Sequence, residues 1–157
     1  MKKGYEIERK FLISSLPEDL EKMEHHHIIQ SYVSRQPTIR IRKWDDTYVL
    51  TVKGGGLMKR MEFEMALSQE EFENLQTKAE DGTIDKVRYI YPIIDGLIAE
   101  IDIYSGHLKG FMNVEVEFPD ERTALLFSPP EWFGREITGD YRFSNSFLSK
   151  FGVQKIL

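Results

Sequence analysis

Charged and hydroxyl residues recur in this chain as pairs separated by one position. In order they are Glu6-x-Glu8-x-Lys10, Arg40-x-Arg42, Thr51-x-Lys53, Glu62-x-Glu64, Lys86-x-Arg88, Glu100-x-Asp102 and Glu115-x-Glu117. A spacing of two places both members on one face of a β-strand, because successive side chains there point to opposite sides. Arginine and lysine grouped in this way hold phosphate oxygens through charge-assisted bonds, bidentate ones where arginine is the donor. Aspartate and glutamate grouped in this way are hard oxygen ligands suited to Mg²⁺ or Mn²⁺. A polyanion accompanied by divalent metal would satisfy both signs at once.

Every pair sits in a segment that alternates polar and apolar residues, the period of a half-buried strand. The pattern predicts strands over 5–13, 28–33, 38–44, 47–53, 59–67, 85–94, 97–104 and 112–118. Asp45-Asp46 predicts a two-residue hairpin turn that sets Arg42 opposite Val49 and Arg40 opposite Thr51. Around Asp95-Gly96 a three-residue loop, 94–96, is preferred over a two-residue one, since it keeps Arg88 and Asp102 on the same side and opposite each other. Gly54-Gly55-Gly56 leads into a strand rather than a helix, which excludes a glycine-rich phosphate loop.

Helical signals are few. Pro17 followed by acids predicts a short helix within 14–24. Ser68 and Glu71 form a capping box for a helix carrying Phe72, Leu75 and Ala79, ended by Asp81-Gly82. A short helix is expected over 146–151, after a turn-rich tail. His25-His26-His27 read as a solvated connector, since adjacent strand residues cannot converge on one metal ion.

The chain of 157 residues, with a net charge of -5 and no cysteine, is expected to be a single domain over 1–157. That charge argues against a nucleic-acid surface, and the absence of cysteine excludes disulfide and thiolate chemistry. No apolar run reaches membrane-spanning length and Met1-Lys2-Lys3-Gly4 is not a signal peptide, so a cytoplasmic protein with no membrane partner is expected. An open antiparallel sheet with one wet face would account for each strand singly. A closed barrel turned inside out, with a charged lumen and apolar exterior, also accounts for paired carboxylates and arginines in strand after strand, and removes the sheet edges.

The ordered series of pairs, beginning with Glu6-x-Glu8-x-Lys10, resembles the CYTH superfamily, the triphosphate tunnel metalloenzymes. The likeness covers nearly the whole chain, and Glu136-Ile137-Thr138 with Arg142-x-Ser144-Asn145 resembles bacterial members. It implies an α+β fold: an eight-stranded antiparallel closed β-barrel, or tunnel, with helices packed outside. It implies a small-molecule triphosphate substrate held by Lys10, Arg40, Arg42, Lys53, Lys86 and Arg88, with metal, Mg²⁺ or Mn²⁺, on Glu6, Glu8 and Glu117. Glu115 and Lys10 become the expected catalytic residues, Glu115 helping to position the attacking water. Glu62, Glu64, Glu100 and Asp102 are additional tunnel acids, and Arg60 a lesser candidate. The family includes inorganic triphosphatases, thiamine triphosphatases and class IV adenylyl cyclases. The compact length resembles the bacterial inorganic triphosphatases most, as monomer or homodimer, with cyclase or thiamine triphosphatase as the alternatives and a non-catalytic polyphosphate sensor as the reading from another class.

Overall fold

The computed structural model describes residues 3–153. The strands are β1 (Lys3–Ile13), β2 (His25–Arg35), β3 (Thr38–Trp44), β4 (Thr47–Lys53), β5 (Lys59–Leu67), β6 (Ile84–Pro92), β7 (Ile98–Ser105), β8 (Met112–Glu117) and β9 (Phe133–Glu136). The helices are α1 (Gln69–Gln76), α2 (Glu121–Leu126) and α3 (Asn145–Phe151).

The sheet closes through β1. Residues 3–7 of that strand pair antiparallel with β5, and residues 8–12 pair antiparallel with β8. The ring therefore runs β1-β5-β4-β3-β2-β6-β7-β8 and back to β1, an eight-stranded antiparallel barrel with no free edge between its members. β9 lies outside the ring and pairs with β1 at Phe11–Glu136 and Ile13–Phe133.

Both hairpin registers agree with the pattern in the sequence. Arg42 lies opposite Val49 and Arg40 opposite Thr51, across a turn whose Asp45 has φ 51°. Aspartate tolerates that left-handed conformation better than most residues. Arg88 lies opposite Asp102, and residues 94–96 form the connecting loop, with Asp95 at φ 60° and Gly96 at φ 72°.

The apolar faces point outward, as expected for a barrel with a charged interior. Phe11, Ala99, Ile101, Val114 and Val116 are buried on the outer surface beneath Phe118, Ala124, Phe127 and Phe133. Arg9 shares that outer face. Its Nη1 donates to the carbonyls of Ala124 (2.9 Å) and Phe127 (3.0 Å), and its Nη2 pairs with Glu136 Oε1 at 2.8 Å. One side chain thus satisfies carbonyls at the end of α2 and ties β9 to β1. The capping box at Ser68 and Glu71 is formed, and α1 packs Phe72 against Tyr48 with ring centroids 5.0 Å apart.

Several expectations are corrected. The helix expected within 14–24 is a single 3-10 turn, Leu20–Lys22. Its three residues make too few backbone bonds to carry the cost of nucleating a longer helix. His25-His26-His27 is no connector; it opens β2 and pairs with Tyr89, Arg88 and Val87 of β6. Ladder bonds to a neighbouring strand override the weak local preference. α1 ends at Gln76, so Ala79 lies beyond it. α2 and β9, at six and four residues, are too short to carry a readable period and had no forecast. Among the described residues, no helix is long and apolar enough to cross a membrane.

Phe11 is the largest side chain sealed between barrel and cover, at 1% exposure. Phe11→Ala should lower the free energy of unfolding by about 4 kcal/mol in urea titrations, through lost burial and the cavity left behind.

Candidate active site

The inward faces of the strands enclose a cavity of about 500 Å³. Glu6, Glu8, Lys10, Arg40, Arg42, Lys53, Glu62, Glu64, Arg88, Glu100, Glu115 and Glu117 all line it. Arg60 does too, with Nε 3.6 Å from Glu6 and Nη2 4.0 Å from Glu8. Three of the residues singled out in the sequence stay off the cavity: Thr51, Lys86 and Asp102 are fully buried in the wall behind it.

The buried cations fall into two groups by the charge of their partners. Lys53 Nζ is 3.0 Å from Glu6 and 3.2 Å from Glu62. Arg88 donates from Nε and Nη2 to the two oxygens of Asp102 at 2.8 Å each, and its Nη1 lies 3.4 Å from Glu100. Lys86 Nζ donates to Asp102 Oδ2 at 2.7 Å. Arg88 and Asp102 therefore form a fork-to-fork pair that Lys86 supports from below.

Arg40 and Arg42 are bonded differently. Arg42 Nε donates to Gln30 Oε1 at 2.9 Å, and Arg40 Nη2 donates to Thr51 Oγ1 at 3.2 Å. Both of those acceptors are neutral, and Arg40 Nε, although buried, has no hydrogen-bond partner. Burial, with Arg40 and Arg88 nearby, holds the Arg42 guanidinium down to about 9. Among the described residues, neither guanidinium has a carboxylate hydrogen-bonded to it.

Acids cluster where β1 meets β8. Glu8 lies opposite Glu117 and Lys10 opposite Glu115 in the register. Glu8 is pushed well above the usual carboxylate range by burial, then by Glu115 and Glu6. Burial acts to raise Glu115 as well, but Lys10, Arg88 and a hydrogen bond from Glu8 hold it well below that range. Two buried acids whose like charges meet without a cation repel each other, and Glu8 is the one on which charge is disfavoured. Among the described residues no three acids or histidines form a ready-made metal cage, and Glu6 turns instead to Lys53 and Arg60. The donor set nonetheless fits a hard divalent cation, because it is all carboxylate oxygen and holds like charges that such an ion would neutralise.

A domain model described as the CYTH domain matches residues 4–136. The chain belongs to the CYTH family. It is 37% identical over 148 residues to the inorganic triphosphatase of Nitrosomonas europaea, covering 92% of this chain and 96% of that protein. It is 35% identical over 153 residues to the inorganic triphosphatase of Acetivibrio thermocellus, covering 94% of each. A solved structure of the inorganic triphosphatase NE1496 superposes with a TM-score of 0.68 at 35% identity, over 92% of this chain and 93% of that one. The putative adenylyl cyclase HpAC1 from Hippeastrum, at 18% identity and a TM-score of 0.58 over 76% and 82% of the two chains, shares the fold.

This CYTH barrel has lumen residues that the paired charges did not mark. Gln30, Tyr32 and Trp44 continue the inward alternation of β2 and β3, so a strict period-two reading would have found them. The tail is different. Ile137, Thr138, Gly139, Asp140, Tyr141, Phe143, Ser144, Asn145 and Ser146 line the cavity, and Lys10 Nζ donates to the Phe143 carbonyl at 2.7 Å. Tyr104 OH donates to Asn145 Oδ1 at 2.7 Å and Arg35 Nε to the Ser146 carbonyl at 3.1 Å. No local pattern in a turn-rich segment announces such contacts.

At the Trp44 side of the lumen, His26 stacks on the indole with centroids 4.8 Å apart. Its ring nitrogens lie 2.6 Å from Asp45 and 2.6 Å from Glu24. The hydrogen bond to Asp45, then that to Glu24, raises the imidazole pKa above its ordinary 6.5. The same contact lowers Asp45 below 3.8. The His26 contribution to stability should be full below pH 6.5 and fade as pH rises through the raised value. Asp45 contributes from above its ordinary value and is lost as pH falls through its depressed one. Proton NMR titration of His26 should give a midpoint above 6.5 that returns toward it in Asp45→Asn.

Proposed function

We propose that the protein hydrolyses inorganic triphosphate to pyrophosphate and orthophosphate within the barrel, with Mg²⁺ or Mn²⁺ as cofactor. The observation that carries this reading is the pair Arg40 and Arg42, buried in the lumen beside neutral partners only. Two uncompensated guanidinium groups 7–8% exposed call for a ligand with several anionic oxygens. The relatives named inorganic triphosphatase, at 35–37% identity over most of the chain, support the same substrate class.

In this reading Arg40 and Arg42 grip phosphate oxygens, while Lys10, Lys53 and Arg88 complete the cradle. Glu6, Glu8 and Glu117 would hold the metal, which supplies charge neutralisation and polarises a phosphoryl oxygen when bound. Glu115, kept ionised by Lys10 and Arg88, accepts a hydrogen bond from a water aimed at the terminal phosphorus and takes its proton. Attack forms one P–O bond and breaks the bridging P–O bond, and pyrophosphate departs. Lys86 serves through Asp102 and Arg88, since it is fully buried behind them. Glu62 and Glu100 balance the lumen cations, as the pairs with Lys53 and Arg88 indicate, and Glu64 accepts from Thr51 Oγ1 at 3.4 Å. Catalysis is then mostly positioning and electrostatic stabilisation, as phosphoryl transfer requires.

The test is a metal-by-substrate panel with product identification, using tripolyphosphate, ATP, thiamine triphosphate and pyrophosphate with Mg²⁺, Mn²⁺ or EDTA. Tripolyphosphate with metal should release orthophosphate, and EDTA should abolish it. Arg40→Ala and Glu8→Ala should each lower kcat/KM on the order of 10²–10³-fold while remaining folded. Wild type that is folded and metal-saturated yet releases nothing from tripolyphosphate sinks the proposal. Formation of cyclic AMP and pyrophosphate from ATP as the main reaction would replace it with a cyclase.

A further inference from the structure

Behind the two arginines that best explain anion binding stands one fully buried amide. Gln30 lies opposite Arg42 in the β2–β3 register and has no solvent exposure. Its Oε1 accepts from Arg42 Nε at 2.9 Å, and its Nε2 donates to Tyr32 OH at 3.2 Å. The two bonds settle the amide orientation, because reversing it would set donor against donor at Arg42.

Arg88 is also held through its Nε, but by a carboxylate that takes Nη2 as well. There the acceptor behind Nε is Asp102, at 2.8 Å, and the guanidinium is neutralised where it stands. A glutamate at position 30 would have the shape of the glutamine and would accept the same Nε bond more strongly. It would also relieve the mutual repulsion of Arg40, Arg42 and Arg88, which with burial disfavours charge on Arg42. Stability alone therefore favours an acid at this position, and the chain has an amide.

We propose that Gln30 is a positioning residue whose neutrality is functional: it aims the Arg42 fork into the lumen while leaving that cation uncompensated for an anionic substrate. The inference rests on the functional reading above and adds to it the residue that sets anion affinity. Arg42 becomes the uncompensated grip, whereas Arg88, lining the same cavity, is already neutralised by Asp102. The division follows from the charge of the acceptor, a neutral amide behind Arg42 and a carboxylate behind Arg88. A unit charge introduced a few ångströms behind Arg42 acts in a poorly screened site, where such pairs interact by a few kcal/mol.

The experiment compares wild type, Gln30→Glu and Gln30→Met for tripolyphosphate binding by titration calorimetry without divalent metal, at pH 8. Thermal melting of the free proteins is measured alongside. Gln30→Glu keeps the bond and cancels the charge; Gln30→Met removes the bond and keeps the charge. The inference expects Gln30→Glu to bind at least about tenfold more weakly than wild type, while melting at or above it. It expects Gln30→Met to lose less, within about fivefold, and to melt lower. A purely structural role predicts the reverse order of affinity, because only glutamate preserves the hydrogen bond. Gln30→Glu binding within twofold of wild type, binding better than Gln30→Met, or melting below wild type overturns the inference and leaves the functional reading intact. Failure of wild type itself to bind tripolyphosphate overturns both.

Discussion

Closure of the sheet on β1 is the interaction that everything else in the molecule depends on. One strand pairs with β5 through its first half and with β8 through its second, so Glu6, Glu8 and Lys10 look into a confined space. On an open sheet those side chains would be screened by water and their pairings worth little. Inside a ring of strands the same charges are mostly buried, and each must find a partner or a ligand. The outer surface follows from the same closure. It is apolar, covered over β1, β7 and β8 by α2 with the stretch through Phe133 and at Tyr48 of β4 by Phe72 of α1.

Confinement turns the list of lumen charges into a hierarchy. Asp102 serves two cations at once, Lys53 is shared by two glutamates, and Lys10 and Arg88 favour charge on Glu115 while burial disfavours it on Glu8. Those groups have made their peace locally. Arg40 and Arg42 have not, because Thr51 and Gln30 offer dipoles rather than charge. The lumen is thus built to keep its unmatched positive charge in one place. Glu6, Glu8, Glu115 and Glu117 line the same cavity.

Much of this was legible because a strand has a strict period. The segments 38–44, 47–53 and 59–67 coincide with β3, β4 and β5, and the pairing of Arg88 with Asp102 follows from counting loop residues at Asp95-Gly96. What could not be read is what lacks a period. α2 is too short, β9 is a four-residue addition to a strand already paired elsewhere, and His25-His26-His27 became strand through its partner β6. Residues 137–146 reach the lumen only because the chain returns to Lys10, Tyr104 and Arg35 from far away in sequence.

The sequence by itself determined which side chains face inward, since alternation assigns every residue of a strand to one of two faces. It also determined that both signs of charge are present there in ordered pairs. Only the tertiary structure decided which of those charges remain available. Lys86 and Arg42 look alike as inward cations, yet one is spent on Asp102 in the wall and the other faces the cavity from a neutral glutamine. Pairing is a matter of distance between strands that are remote in sequence, and Coulomb energy in a poorly screened lumen depends on those distances and not on the order of residues.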